Sequence, residues 1–180
     1  MTAIRLTALA VTVCLTLGST WAQAERSAGQ HIDDSTIATS AKAALAKVDL
    51  GSAGALNVEV HKGRLQLAGF VHTDEARNAA LGAAGSVTGA VEVLDAIVVL
   101  PGKRTAGQTF DDTAIQTKLK AALTEQLGAG TAVRINTEVR KSNVILSGFV
   151  DDAATQSKAG EVARGISGVA AVHNRLAIGL

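Results

Sequence analysis

The sequence predicts an α+β protein of two tandem αββαβ modules, each a three-stranded mixed sheet with two helices packed on one face. Self-similarity is the first reason. IDDSTIATSAKAALAKV from Ile32 stands over FDDTAIQTKLKAALTEQ from Phe110, Gly69-Phe70-Val71 over Gly148-Phe149-Val150, and Gly89 to Val99 over Gly168 to Ile178. The offset grows by one residue between the first helix and the first strand, so Asp33 matches Asp111 while Gly69 matches Gly148. A repeat this long is a duplicated small domain, since solenoid repeats run about 20 to 50 residues. The second reason is that in each copy the apolar period switches between helical and alternating in the same order.

Each copy opens with a helix. Ile37, Ala41, Ala44, Leu45 and Val48 recur at helical spacing, as do Ile115, Leu119, Ala122, Leu123 and Leu127. The preceding pairs, Asp33-Asp34 and Asp111-Asp112, are expected to cap the helix starts and sit at the positive dipole end. A first strand follows, in which Leu56, Val58 and Val60, and later Val133, Ile135, Thr137 and Val139, take alternate positions. A turn at His61-Lys62-Gly63 or Arg140-Lys141-Ser142-Asn143 leads to a second alternating run, Leu65, Leu67, Gly69, Val71 or Val144, Leu146, Gly148, Val150. That is a hairpin with its apolar face toward the helix.

The second helix of each copy is expected from Thr73 to about Ala84 and from Asp152 to about Arg164, with Ala79, Ala80 and Ala83 in the first, and Val162 and Ala163 in the second, allowing close approach to the sheet. Glycine-marked turns start the last strands, where Val91, Val93, Ile97 and Val99, and Val172, Leu176 and Ile178, alternate. Asp95 and Asn174 interrupt that alternation at the same place and are read as structural edge residues. With both helices on one side, the other sheet face is expected to be comparatively open.

The domain organisation reads as a leader over residues 1–24, a polar stretch 25–31, a first domain 32–100, a linker 101–109 and a second domain 110–180. Arg5, the apolar run Leu6 to Leu17 and Ala22-Gln23-Ala24 fit a secretory signal cleaved before Glu25. The run is too short to span a membrane, which needs about 20 residues. Cys14, the single cysteine, lies in that run and lacks the flanking residues of a lipoprotein box, so the mature chain has no thiol and no disulfide.

Composition removes several function classes. Without Arg5 the chain balances 16 basic against 16 acidic residues, which gives no electrostatic mandate for nucleic acid. Phe70, Phe110 and Phe149 are the only aromatics after Trp21, so stacking platforms for bases or sugars are absent. His31, His61, His72 and His173 are scattered without metal-ligand spacing and are read as solvated surface histidines; Gly82 to Gly85 closes a helix and is no phosphate loop. No catalytic residue, metal or cofactor is expected, and the chain reads as a binding protein and not an enzyme.

The Asp-Asp-x-x-Ile helix start, the V-x-V strand, the strands Leu65–Val71 and Val144–Val150 ending Gly-Phe-Val, and the closing strands with Asp95 or Asn174 together resemble the BON domain family, named for bacterial osmotically inducible and nodulation-associated proteins. The resemblance covers Ile32 to Val99 and Phe110 to Ile178. It implies a periplasmic protein made under osmotic or envelope stress, with chaperone activity toward exported and outer-membrane proteins, its expected partners. A lipoprotein member of the family implies the alternative, binding of anionic phospholipid through the first helix of the second domain. Here that surface would be Phe110, Ile115, Lys118, Leu119 and Lys120. The segment Phe110 to Leu127 carries only those two lysines against Asp111, Asp112 and Glu125, which predicts weak attraction to an anionic surface. The chaperone reading places unfolded clients on the open sheet faces or in the groove between the domains.

Overall fold

A computed structural model describes residues 28–49 and 56–179, with side chains from residue 33 onward. The predicted leader, with Cys14 and the cleavage site, lies outside these residues. The first copy runs α1 (Ala28–Leu45), β1 (Asn57–His61), β2 (Arg64–Val71), α2 (Asp74–Gly85) and β3 (Glu92–Val99). The second runs α3 (Ala106–Leu127), a short α4 (Ala129–Ala132), β4 (Ile135–Arg140), β5 (Asn143–Val150), α5 (Ala153–Arg164), β6 (Ala171–Asn174) and β7 (Ala177–Ile178). In each copy the hairpin is antiparallel and the last strand lies parallel to its second strand, so the sheets are mixed, as predicted.

Each copy has its own core between helices and sheet. Ile37, Ala41 and Leu45 of α1 meet Leu65, Leu67 and Val71 of β2. Ile115, Leu119 and Leu123 of α3 likewise meet Val144, Leu146 and Val150 of β5. The alanine stripe of α2 is Ala76, Ala80 and Ala84, an i, i+4 row, while Ala79 faces solvent. Val133 and Val91, expected in strands, fall just outside β4 and β3 and are exposed.

The helices begin earlier than the Asp-Asp pairs suggested. α3 is capped by Thr105, whose hydroxyl accepts from the Gln108 amide at 3.2 Å while the Gln108 side chain accepts from the Thr105 amide at 3.0 Å. α1 starts inside the stretch read as a polar leader, and α3 starts inside the stretch read as linker. The Asp-Asp pairs therefore do not cap. Asp34 and Asp112 point across to the hairpin turns instead: Asp34 accepts from the amides of Lys62 and Gly63 at 2.8 and 2.7 Å, and Asp112 from those of Lys141 and Ser142 at 2.9 and 2.8 Å. Each carboxylate takes both amides of a two-residue turn and ties the first helix to the first hairpin.

Both turn residues have positive φ, 52° and 77° at Lys62 and Gly63, 48° and 62° at Lys141 and Ser142. That is the backbone of a type I′ hairpin turn, matched to strand twist. Glycine adopts it freely and serine does not, so Ser142→Gly is expected to stabilise the second domain by about 1 kcal/mol. A urea midpoint for the variant no higher than that of the parent would contradict this.

Asp95 and Asn174 stand on the edge strands β3 and β6 and are structural, as expected, and their contacts fasten each strand to a helix. Asp95 pairs with Arg77 of α2, raising the Arg77 pKa chiefly through that hydrogen bond, and accepts from the Ile97 amide at 2.9 Å. At the matching position Asn174 donates to the Gln156 carbonyl of α5 at 2.7 Å and accepts from the Leu176 amide at 3.4 Å. An ion pair in one copy and an amide hydrogen bond in the other fasten the second helix to the last strand.

The largest departure concerns the sheet faces expected to be open. They pack on each other. β2 carries buried Gln66, Ala68 and Phe70 on the face away from its helices, and β5 carries buried Ile145, Ser147 and Phe149. These residues lie outside both helix-side cores, and β2 and β3 approach β5 across the gap. The protein is thus a four-layer stack, helices, sheet, sheet, helices.

Candidate functional site

The residues proposed from sequence as a lipid surface divide between the exterior and the core. Phe110 is 77% exposed, and Lys118 and Lys120 are exposed, but Ile115 and Leu119 are buried in the core of the second domain. At about 100° per residue Lys118 and Lys120 lie about 80° to either side of Phe110 around α3, so these three stand on the half of the helix turned away from the core, without Ile115 and Leu119. Ile115 is further committed to the fold: its side chain lies 3.2 Å from where a Cβ would stand on Gly168, as Ile37 does from Gly89.

What the fold assembles instead is the seam between the sheets. Asn136 donates to Glu59 at 2.6 Å, and Asn57 donates to Glu138 at 3.4 Å. Asn57 and Asn136 are repeat equivalents, and so are Glu59 and Glu138. The two contacts are therefore related by a pseudo-two-fold axis, the arrangement a symmetric dimer makes, here within one chain. Gln66 crosses the seam with its whole amide, accepting from the Gly148 amide at 2.6 Å and donating to the Arg175 carbonyl at 2.7 Å. With Gln66 2% exposed, that satisfaction is required, since a buried polar group without partners costs about 1 to 3 kcal/mol.

The rim is polar and aromatic. Arg64 donates to the Ile178 carbonyl at 2.8 Å and lies 5.7 Å over the Phe149 ring, which stacks on His61 at 5.2 Å. On the opposite side His72 sits between the Leu100 carbonyl, 3.2 Å from Nδ1, and the Arg140 guanidinium, 3.1 Å from Nε2. A carbonyl only accepts and a guanidinium only donates, so the neutral ring with its proton on Nδ1 satisfies both. His61 and His72 are thus seam residues and not the solvated surface groups expected. Burial, with Arg175 adding to it, lowers the pKa of half-buried His173. The linker is also pinned: Lys141 donates to the Pro101 carbonyl at 2.6 Å, and Arg104 lies 3.5 Å from Asp112.

Burial in the seam raises the Glu138 pKa above its ordinary 4.5, against the smaller opposing pull of Arg140, Arg104 and the Phe70 amide. The folded protein therefore binds this proton more tightly than the unfolded chain, so stability rises as pH falls through the raised value toward 4.5 and is lost as pH rises through it. Glu138→Gln is expected to melt higher than the parent at neutral pH and to have a flatter melting profile over that window. Thermal melts across the window check this; a lower neutral melt for the variant contradicts it.

Beside the seam lies a groove of about 590 Å³ between α3, α4 and β4, with Asn57 of the first domain at one end. Leu123, Ile135, Ala132 and exposed Val133 give it apolar walls, and Lys120 stands on its rim. Thr137 reaches into it with a buried hydroxyl that has no hydrogen-bond partner. A smaller groove of about 320 Å³ occupies the matching place in the first domain, between Asp34, Ala38 and Lys42 of α1 and Val58 to Val60 of β1. Among the described residues no group of three His, Asp or Glu side chains is placed to hold a metal ion, and no helix is long and apolar enough to cross a membrane.

Two αββαβ modules behind the same Asp-clamped hairpin define the class. The chain belongs to the BON domain family, whose model matches residues 33–101 and 111–179. It is similar to osmotically inducible protein Y of Escherichia coli strain K12, with 30% identity over 150 residues, covering 82% of this chain and 74% of that protein. Among solved structures, two of CdsD, a structural protein of the type III secretion system of Chlamydia trachomatis, match at a TM-score of 0.32 with 12% and 13% identity. They cover 73% and 81% of this chain, which spans 61% and 63% of theirs, and at that distance they carry no argument here.

Proposed function

We propose that the protein is a non-enzymatic, stress-associated binding protein of the periplasm that holds unfolded exported or outer-membrane proteins. Similarity to an osmotically inducible protein supports the stress setting. The observation that carries the binding reading is the pair of matching grooves, each lying between the first helix of its domain and the edge strand, with apolar and polar side chains both in the lining. Clients are held there or along the seam rim, since the sheet faces are occupied by each other. Export follows from residues 1–24, with a mature N-terminus at Glu25. The alternative, a phospholipid-binding module supporting outer-membrane integrity, has exposed Phe110, Lys118 and Lys120 in its favour.

The test is dilution of a urea-unfolded outer-membrane β-barrel protein into buffer with and without the mature protein, followed by light scattering, beside flotation with phosphatidylglycerol vesicles. Delayed aggregation with little flotation is the expected result. No delay at any ratio overturns the holding function. Salt-sensitive flotation abolished by Lys118→Glu with Lys120→Glu would make the lipid reading the better one.

A further inference from the structure

We propose that the groove between α3 and β4 takes its client as an added β-strand, paired to the open edge of β4. This rests on the holding function proposed above and assigns it a site and a mode. β4 has a partner strand on one side only. Arg140 and Asn143 flank the two-residue turn, so they form a hydrogen-bonded pair, and the bonds to β5 then fall on Arg140, Glu138 and Asn136. The amides and carbonyls of Val139, Thr137 and Ile135 consequently face outward.

The outward direction is visible in what meets it. The Gln116 side chain reaches from α3 and donates to the Thr137 carbonyl at 3.0 Å, standing where the N–H of an incoming strand would stand. Beside it the Thr137 hydroxyl is buried and unpartnered, although its repeat equivalent, Val58, is apolar. A side-chain amide on an edge carbonyl and an orphan hydroxyl in one groove describe a hydrogen-bonding slot that is occupied in part. Strand addition would complete it: main-chain bonds supply affinity without a fixed sequence, and alternate side chains enter the groove.

The walls specify the occupant. Leu123, Ile135 and Val133 accept apolar side chains, and Lys120 on the rim faces an acidic one. The matching groove of the first domain carries Lys42 at the equivalent place and has Ala38 where Gln116 stands, so its edge has no such substitute. The occupant is an extended segment that alternates apolar and polar residues and carries an acidic side chain, the pattern of an unfolded β-barrel strand.

The experiment uses the mature protein and a short fluorescein-labelled peptide of alternating Val and Thr with one Asp, read by fluorescence anisotropy. A peptide of the same length with alternate residues replaced by Pro is the control. Thr137→Pro removes an outward-facing amide at an edge position where proline is tolerated, and is expected to weaken binding by about tenfold or more. Gln116→Ala vacates the edge carbonyl and is expected to tighten binding by about threefold or more, which a misfolded variant would not do. Equal binding of the proline peptide, or unchanged affinity in both variants, overturns the proposal. If aggregation is still delayed in that case, the holding function stands with a different site; if it is not, both fail. Peptide-free sedimentation that shows a dimer abolished by Thr137→Pro assigns the edge to a second copy and also overturns the proposal.

Discussion

Replacing Gly148 by alanine is expected to unfold the second domain or lower its stability by about 3 to 5 kcal/mol. Gly148 lies in β5 with φ at +111°, a region that L side chains rarely enter. A Cβ built there would stand 2.2 Å from the backbone carbonyl oxygen of Arg134, at the entry to β4. Backbone cannot move aside as a side chain can, so the clash and the strained φ add. Gly69, its repeat equivalent, has φ at +145°, but its Cβ would meet the end of Leu56 at 2.9 Å and the Glu138 carboxylate at 3.2 Å. Those groups swing, and Gly69→Ala is expected to cost about half as much. Urea denaturation followed by circular dichroism checks both; equal, small losses would show that Arg134 does not press on β5 as described.

Asp112→Ala is expected to cost about 3 kcal/mol, through the loss of two charge-assisted hydrogen bonds of about 1.5 kcal/mol each. Asp112 is 2% exposed, and its carboxylate is the acceptor for both amides of the Lys141-Ser142 turn. Asp112→Asn keeps one acceptor oxygen and is expected to lose about half of that. Asp34→Ala in the first domain should cost less, because its turn is more exposed to water, which replaces the lost acceptor. Denaturation midpoints are the readout. A cap at a frayed helix start would behave otherwise, with Asp111→Ala and Asp112→Ala equally mild.

The helix-side half of the fold was legible because one helix face buried on one sheet face writes a clean period. Ile115, Leu119, Leu67 and Leu146 read as inward from spacing alone, and all four are buried. The same legibility misplaced the candidate site: Ile115 and Leu119 could not be core and membrane surface at once. The Asp-Asp pairs misled because acidic residues before an apolar run are ordinarily caps, yet Thr105-Ala-Gly-Gln108 carried the stronger signature three residues apart. The sheet seam left a signal too. β2 reads Arg-Leu-Gln-Leu-Ala-Gly-Phe-Val and β5 Asn-Val-Ile-Leu-Ser-Gly-Phe-Val, both with apolar residues on alternate faces, as strands covered on two sides do. What covers the second side was not written there, because a seam of Asn, Glu and Gln looks like ordinary solvent-facing polarity until its partners are in place.

The closed seam is the central claim, and thiol labelling of Ser147→Cys tests it most directly. Ser147 is 2% exposed on the seam face of β5, the change is nearly isosteric, and a chain expressed from Glu25 has no other cysteine. The thiol is expected to react at least about a hundredfold more slowly than one placed at exposed Thr113, because labelling must wait for the sheets to part. Adding an unfolded outer-membrane protein should leave that rate unchanged, since clients are held outside the seam. Labelling as fast as at Thr113, or a rate that climbs as client is added, would show instead that the sheet faces open and are themselves the binding surface.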